Sequence, residues 1–418
     1  MITQNNKAVF VCAMLAMMMT FASAEGDSRV YVAASGKAGN TGSAVAPLAD
    51  LQEAKEAVRA LPRNQPIQVI VSTGTYYLDK PLVFSAVDSG KEGAPVKWQA
   101  AEGAVVRLVG GKALKPVWEK QTDKIWKSKV SGCPSIDQLF VNENRQILAR
   151  YPNYDPSVRY FCGVGATWER MNSWENPETA YIHALHRSGW GGGHIMLERD
   201  KEGSLYERMV SIDTTTQGNG ARLHDDRRFA ENVFEELDAP GEWFFDAKTQ
   251  TLYYQPAAGV DLKSAKVEAV FNPHLVVFEG SKKNPVHHIE LGGFIFNGAS
   301  PTWEKTTEHL PNGGDFVVHR GGALTMRGTE DCRISNCVFS ELGGNAVFID
   351  GYNRRAKVDG NLIKNIGANG ISLCGAADSM RGKQFFTVLD ETFKNGRLVR
   401  NKWVNPGGWS KVPDDLTP

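Results

Sequence analysis

Apolar positions repeat toward the C-terminal end of the chain. The segment from Ile334 to Ile349 aligns without a gap to the segment from Val358 to Leu373, at a constant offset of 24 residues. Ile334 then meets Val358, Val338 meets Leu362, Phe339 meets Ile363, Leu342 meets Ile366, Val347 meets Ile371 and Ile349 meets Leu373. Gly343 falls on Gly367 and Asn345 on Asn369. A period of about 20–30 residues, built from short β-like runs with fixed turn residues, predicts a parallel β-solenoid. One coil cannot bury its apolar face alone, so successive coils stack about 4.8 Å apart. The Asn345/Asn369 column is read as backbone hydrogen bonding within a turn.

A third coil precedes these two. Leu291 to Phe296 fits Ile334 to Phe339 at an offset of 43, and Ala323 to Met326 fits Ala346 to Ile349. The surplus falls between Gly298 and Gly322, where it carries Trp303, Glu304, Glu308, His309, Asp315, His319 and Arg320. Solenoids place function on such insertions, although a solvated cap loop has the same composition. Nearer the N-terminus, strand-like runs occur at Val30–Val32, Ile67–Val71, Leu82–Phe84, Val96–Gln99 and Val105–Leu108. Between the first two, Leu48 to Leu61 is amphipathic, with Leu51, Ala54, Ala57, Val58 and Leu61 on one face, and reads as a capping helix. From Pro134 to Glu268 the repeat is lost and aromatic runs such as Glu242-Trp-Phe-Phe-Asp246 take over. The expected division is a leader at 1–24, cap and first coils at 25–133, an inserted β-rich module at 134–268, and further coils at 269–418.

The leader has the layout of an export signal. One lysine, Lys7, precedes the apolar run Ala8 to Phe21, and Ala22-Ser-Ala24 is a small-x-small cleavage site before Glu25. The run is shorter than the roughly 20 residues needed to span a bilayer. The mature chain is therefore expected to be secreted, periplasmic or at the cell surface, with no membrane partner after cleavage. Lys+Arg and Asp+Glu both number 47, so there is no basic surplus for nucleic acid. Beyond the leader lie Cys133, Cys162, Cys332, Cys337 and Cys374, an odd set with no C-x-x-C pair for zinc. Glycine numbers 42, which suits a chain of many tight turns.

Three groups of residues carry a family resemblance. They are Val30-Tyr-Val-Ala33 with Pro47-Leu-Ala-Asp-Leu51 and Gly74-Thr-Tyr-Tyr77; Ile147-Leu-Ala-Arg-Tyr-Pro-Asn153 with Pro240-Gly-Glu-Trp243; and Gly328-Thr-Glu-Asp331 with the segment from Gly344 to Arg354. Together they resemble secreted right-handed parallel β-helix proteins (the pectate-lyase-like architecture) such as those of glycoside hydrolase family 141. The resemblance covers residues 28 to 418. It implies an all-β, right-handed parallel β-helix and activity on fucose- or xylose-containing plant polysaccharides. It also implies that the catalytic aspartates belong to later coils, so that a chain stopping at Pro418 should have little glycosidase activity, and the uncapped edge of its last coil should make it aggregation-prone.

Glycoside hydrolysis needs two carboxylates, about 5 Å apart for retention and roughly 6.5–9.5 Å for inversion. Asp350 sits in a column with Arg327 before it and Cys374 after it, which also suits a turn salt bridge. Asp315 and Asp378 are the other carboxylates proposed as catalytic. Glu341 is a weaker candidate, and Asp331 reads as a turn former. Trp303, His309, His319, Arg320 and Tyr352 are the candidates for contacting substrate. No Gly-x-Ser-x-Gly elbow, phosphate loop or zinc spacing is present. No cofactor is expected, and Ca²⁺ only if the chain is a polysaccharide lyase. A polysaccharide or oligosaccharide partner remains, with three readings: hydrolase, lyase, or non-catalytic glycan-binding surface protein.

Overall fold

The computed structural model describes residues 28–158, 167–187, 192–209, 223–302, 308–309, 317–375, 387–394 and 397–404. The protein is mostly β, and three of its sheets are wholly parallel. The first orders Ser28–Val32, Ile67–Val71, Val96–Ala100, Ile289–Gly292, Arg333–Ser335 and Lys357–Asp359. The second orders Gly74–Tyr77, Val106–Val109, Phe294–Ala299, Val338–Leu342 and Leu362–Ile366. The third orders Leu82–Phe84, Val276–Glu279, Leu324–Glu330, Val347–Arg354 and Ile371–Cys374. From Ile67 onward the chain visits first, second and third sheet in that order on every pass.

The 24-residue register is present in the pairing itself. Ile334 lies beside Val358, Phe339 beside Ile363 and Val347 beside Ile371. The 43-residue step holds as well, with Leu291 beside Ile334 and Phe296 beside Phe339. Inward positions therefore form columns: Val30, Val69, Trp98, Leu291, Ile334 and Val358 run through the first sheet. In the second sheet Phe296 and Phe339 stack face to face, centroids 4.5 Å apart at 11°. Burial of such side chains is worth roughly 1.5–3 kcal/mol each. The column of the third sheet ends less covered: Val347 is fully buried, whereas Ile371 is 43% and Leu373 75% exposed.

The corners also repeat. Gly293, Asn336 and Gly360 take left-handed backbone (φ 77°, 54° and 68°) between the first and second sheets. His288, Asp331 and Arg355 do the same (φ 54°, 53° and 53°) just before the first sheet. At the non-glycine corners this conformation costs roughly 1–2 kcal/mol. Asp331 and Arg355 are tied together, Arg355 donating to both carboxylate oxygens at 2.7 and 2.8 Å.

The helix is Leu51–Arg59, shorter than the amphipathic run because the Asp50 side chain caps it, accepting from the Glu53 N–H at 2.8 Å. Leu51, Ala54 and Val58 are buried against the first strands. Among the described residues no helix is long and apolar enough to cross a membrane.

Among the described residues, two excursions interrupt the passes through the parallel sheets, and both leave between the second and third. The longer, from Gly111 to Val270, builds antiparallel and mixed sheets with cores of their own. The aromatic run Glu242–Asp246 is covered on both sides: Trp243 packs into one cluster and Phe244 into another. Glu268 fastens this part to the second sheet. Its buried carboxylate accepts from Arg107 at 2.7 and 2.8 Å and from the Tyr77 hydroxyl at 2.6 Å. The shorter excursion separates Phe294–Ala299 from Leu324–Glu330.

Candidate functional site

Of the sequence candidates that the structure describes, Asp350 and Tyr352 lie on strand Val347–Arg354 of the third sheet, and Arg320 reaches Asp350 from outside it. Pairing sets Glu279, Arg327, Asp350 and Cys374 in one row across successive strands. Arg327 Nε donates to Asp350 Oδ2 at 2.7 Å, and Arg320 Nη1 donates to Oδ1 at 2.6 Å. Arg320 arrives from the shorter excursion and also donates to the Gly375 carbonyl at 3.1 Å. The Asp350 side chain is 5% exposed, that of Arg320 24% and that of Arg327 46%. Both oxygens of Asp350 are thus engaged by guanidiniums, which makes it a brace for two cations. The arginine before it was legible in the sequence; the one brought by the excursion, as its partner, was not.

Gly321-Gly322 lets the excursion end so close to the sheet. A Cβ at Gly321 would lie 2.6 Å from the His274 ring, and Asn345 Nδ2 donates to the Gly321 carbonyl at 2.8 Å. The His319 ring stacks on His274 at 5.9 Å and 10°, and His274 Nδ1 lies 2.9 Å from the Gly322 carbonyl oxygen. The asparagine column continues to Asn369, whose N–H donates to Asn345 Oδ1 at 3.1 Å.

Tyr352 lies past the Gly351 bend and gives its hydroxyl to Glu330. That bond, with Arg355, holds the Glu330 carboxyl below its ordinary range. Asp331, read from the sequence as a turn former, is a left-handed corner residue. His309 lies in the short strand Glu308–His309, antiparallel to Val317–Val318. Trp303, Asp315 and Asp378 lie outside the described residues. Among the described residues no group of three or more His, Cys, Asp or Glu is arranged to hold a metal.

Four titratable groups in the longer excursion, at two places, escaped the sequence reading. Glu242 is buried, and desolvation pushes its carboxyl up to about 7, although Oε2 accepts from the N–H groups of Asp238 and Ala239 at 3.1 and 3.0 Å. In the antiparallel sheet, His183 Nε2 lies 2.8 Å from Glu231 Oε1, and His183 Nδ1 lies 2.7 Å from His194 Nδ1. Their partners sit 48 and 11 residues away, so no local motif marks them.

No family model matches the sequence, and no curated protein matches it. Among solved structures the chain is similar to one described as a glycoside hydrolase, with a TM-score of 0.64 and 19% identity, over 83% of this chain and 67% of that one. It also aligns with XylC in complex with xylose, over 82% of this chain and 56% of that one, but at a TM-score of 0.42 and 12% identity, which carries no argument. The first likeness is one of fold: a chain described as a glycoside hydrolase shares this arrangement of parallel sheets.

Proposed function

We propose that the chain is an exported, carbohydrate-active right-handed parallel β-helix of the kind found in glycoside hydrolase family 141. Its intact form would hydrolyse plant cell-wall or related polysaccharide. The observation that carries this reading is the likeness to a glycoside hydrolase across most of the chain. The ordered visits to three parallel sheets support the architecture. On this reading the outer surface around Arg320, Arg327 and Asp350 faces the sugar. The two guanidiniums donate to sugar hydroxyls while Asp350 holds them apart at a fixed angle. A catalytic pair needs a proton donor and a partner carboxylate. By resemblance that pair belongs to later coils; within these residues it would be Asp350 with Asp315 or Asp378.

The test is to incubate the intact form of the protein with xylan, fucosylated xyloglucan and pectin. Release of reducing sugar without the ultraviolet absorbance of an unsaturated product is expected. Absorbance that depends on Ca²⁺ would make it a lyase, and binding without turnover would make it a non-catalytic glycan-binding protein; either outcome overturns hydrolysis.

A further inference from the structure

Arg150 belongs to the short strand Arg150–Tyr151, where it faces Glu231 across an antiparallel ladder. A cross-strand arginine and glutamate ordinarily form an ion pair. Here the carboxylate is turned to His183, at 2.8 Å. Burial pushes the Glu231 carboxyl up, but the charge and hydrogen bond of His183 outweigh it, with smaller help from Arg145 and Arg150, and hold it below its ordinary range. The guanidinium of Arg150 lies instead on the Phe229 ring, 3.9 Å from its centroid. Phe229 is itself stacked on His183 at 4.7 Å and 25°.

Arg150 Nε donates to the Pro152 carbonyl at 2.9 Å, while Nη2 is buried and has no hydrogen-bond partner. The residue as a whole is 7% exposed. A buried charge with an unmet donor is costly unless an anion completes it. Beside it, 5.8 Å from the guanidinium, stands the ring of Tyr154, which is 55% exposed. An apolar floor, a donor fork with one arm unused and an exposed aromatic rim are the parts that recognise an oxyanion attached to a ring.

We propose that this edge of the antiparallel sheet is an acidic-sugar subsite, in which Arg150 takes the carboxylate of a uronic acid and Tyr154 lies against the sugar ring. It is built from residues other than those around Asp350, so the two readings stand or fall separately. The whole chain is titrated calorimetrically with galacturonic acid oligomers, with neutral xylo-oligomers of equal length, and with inorganic sulfate. Galacturonate is expected to bind at least tenfold more tightly than the neutral oligomers. Arg150→Gln should weaken it about tenfold or more, the usual worth of a charged hydrogen bond. Tyr154→Ala, at an exposed ring, should weaken it several-fold with the unfolding midpoint unchanged. Absence of galacturonate binding at millimolar concentration, or equal binding by both variants and the unaltered chain, overturns the proposal. Sulfate binding as tightly as galacturonate, with no effect of Tyr154→Ala, assigns the cation to a free oxyanion and overturns the sugar. Binding abolished by Asp350→Asn but untouched by Arg150→Gln would move the acidic sugar to the other surface and overturn it as well.

Discussion

Cutting Phe339 back to alanine tests the stacking register most directly. The side chain is fully buried, lies flat against Phe296 on one side and has Ile363 as its neighbour on the other. Phe→Ala in a packed core costs about 3–5 kcal/mol, and the ring stack lost with it accounts for roughly 0.5–1.5 kcal/mol. Ile363 occupies the same column one pass later but is only half-buried. Ile→Ala costs about 2–5 kcal/mol when buried, so Ile363→Ala should cost roughly half of that. Ile363→Asp should cost several kcal/mol, because it places a carboxylate in the column. Urea unfolding followed by circular dichroism and tryptophan fluorescence gives midpoint and slope for each variant. Repeat proteins can lose cooperativity, so the slopes must be compared before midpoints become free energies. A register slipped by one residue would exchange Phe339 and Ile363 for Ser340 and Lys364. Phe339→Ala costing less than Ile363→Ala, or a stable Ile363→Asp chain, would refute the column.

Three further outcomes follow from the polar groups. Burial and the neighbouring His183 charge press the His194 imidazole down to about 3, from 6.5 when unfolded. The folded state then binds fewer protons, so stability present above pH 6.5 should drain away toward pH 3; His194→Gln should flatten the dependence of the melting midpoint on pH in that window. Glu242 behaves in the opposite sense: its carboxyl is raised from 4.5 to about 7, so the fold is penalised as pH climbs through that range. Glu242→Gln should gain midpoint relative to the unaltered chain between pH 5 and pH 8, and a constant difference would argue against a buried titrating carboxyl. Asp350→Asn leaves Arg320 and Arg327 without their shared anion; a loss of about 1–3 kcal/mol is expected in urea unfolding, and an unchanged midpoint would show that the brace carries no load.

The parallel sheets were legible because two independent demands fall on the same offset. Inward columns need apolar side chains, and the turns need the repeated pairs Gly343/Gly367 and Asn345/Asn369, where a Cβ at Gly367 would meet the Gly343 backbone and Asn369 donates its N–H to Asn345. The corners at His288 and Arg355 were not legible, since neither residue type announces that conformation; the Asp331–Arg355 pair, itself a product of stacking, helps to hold one of them. The site was half legible for the same reason. Arg327 and Asp350 follow from the register, whereas the bond from Arg320 depends on how an excursion folds back. In the antiparallel part, Glu268 binds Arg107 from 161 residues away, a distance over which sequence pattern carries no signal.

Both excursions depart from one corner, between the second and third sheets, and that placement has an evolutionary consequence. A 43-residue step and a 24-residue step deliver the chain to neighbouring strands of the same sheets in the same register. The pitch of the stack is therefore indifferent to how much sequence is spliced in at that corner. Insertions there can lengthen, shorten or be exchanged between lineages without disturbing a core contact, provided they return through a close approach such as Gly321-Gly322. The surface beside Asp350 can accordingly be remodelled while the columns beneath it stay fixed.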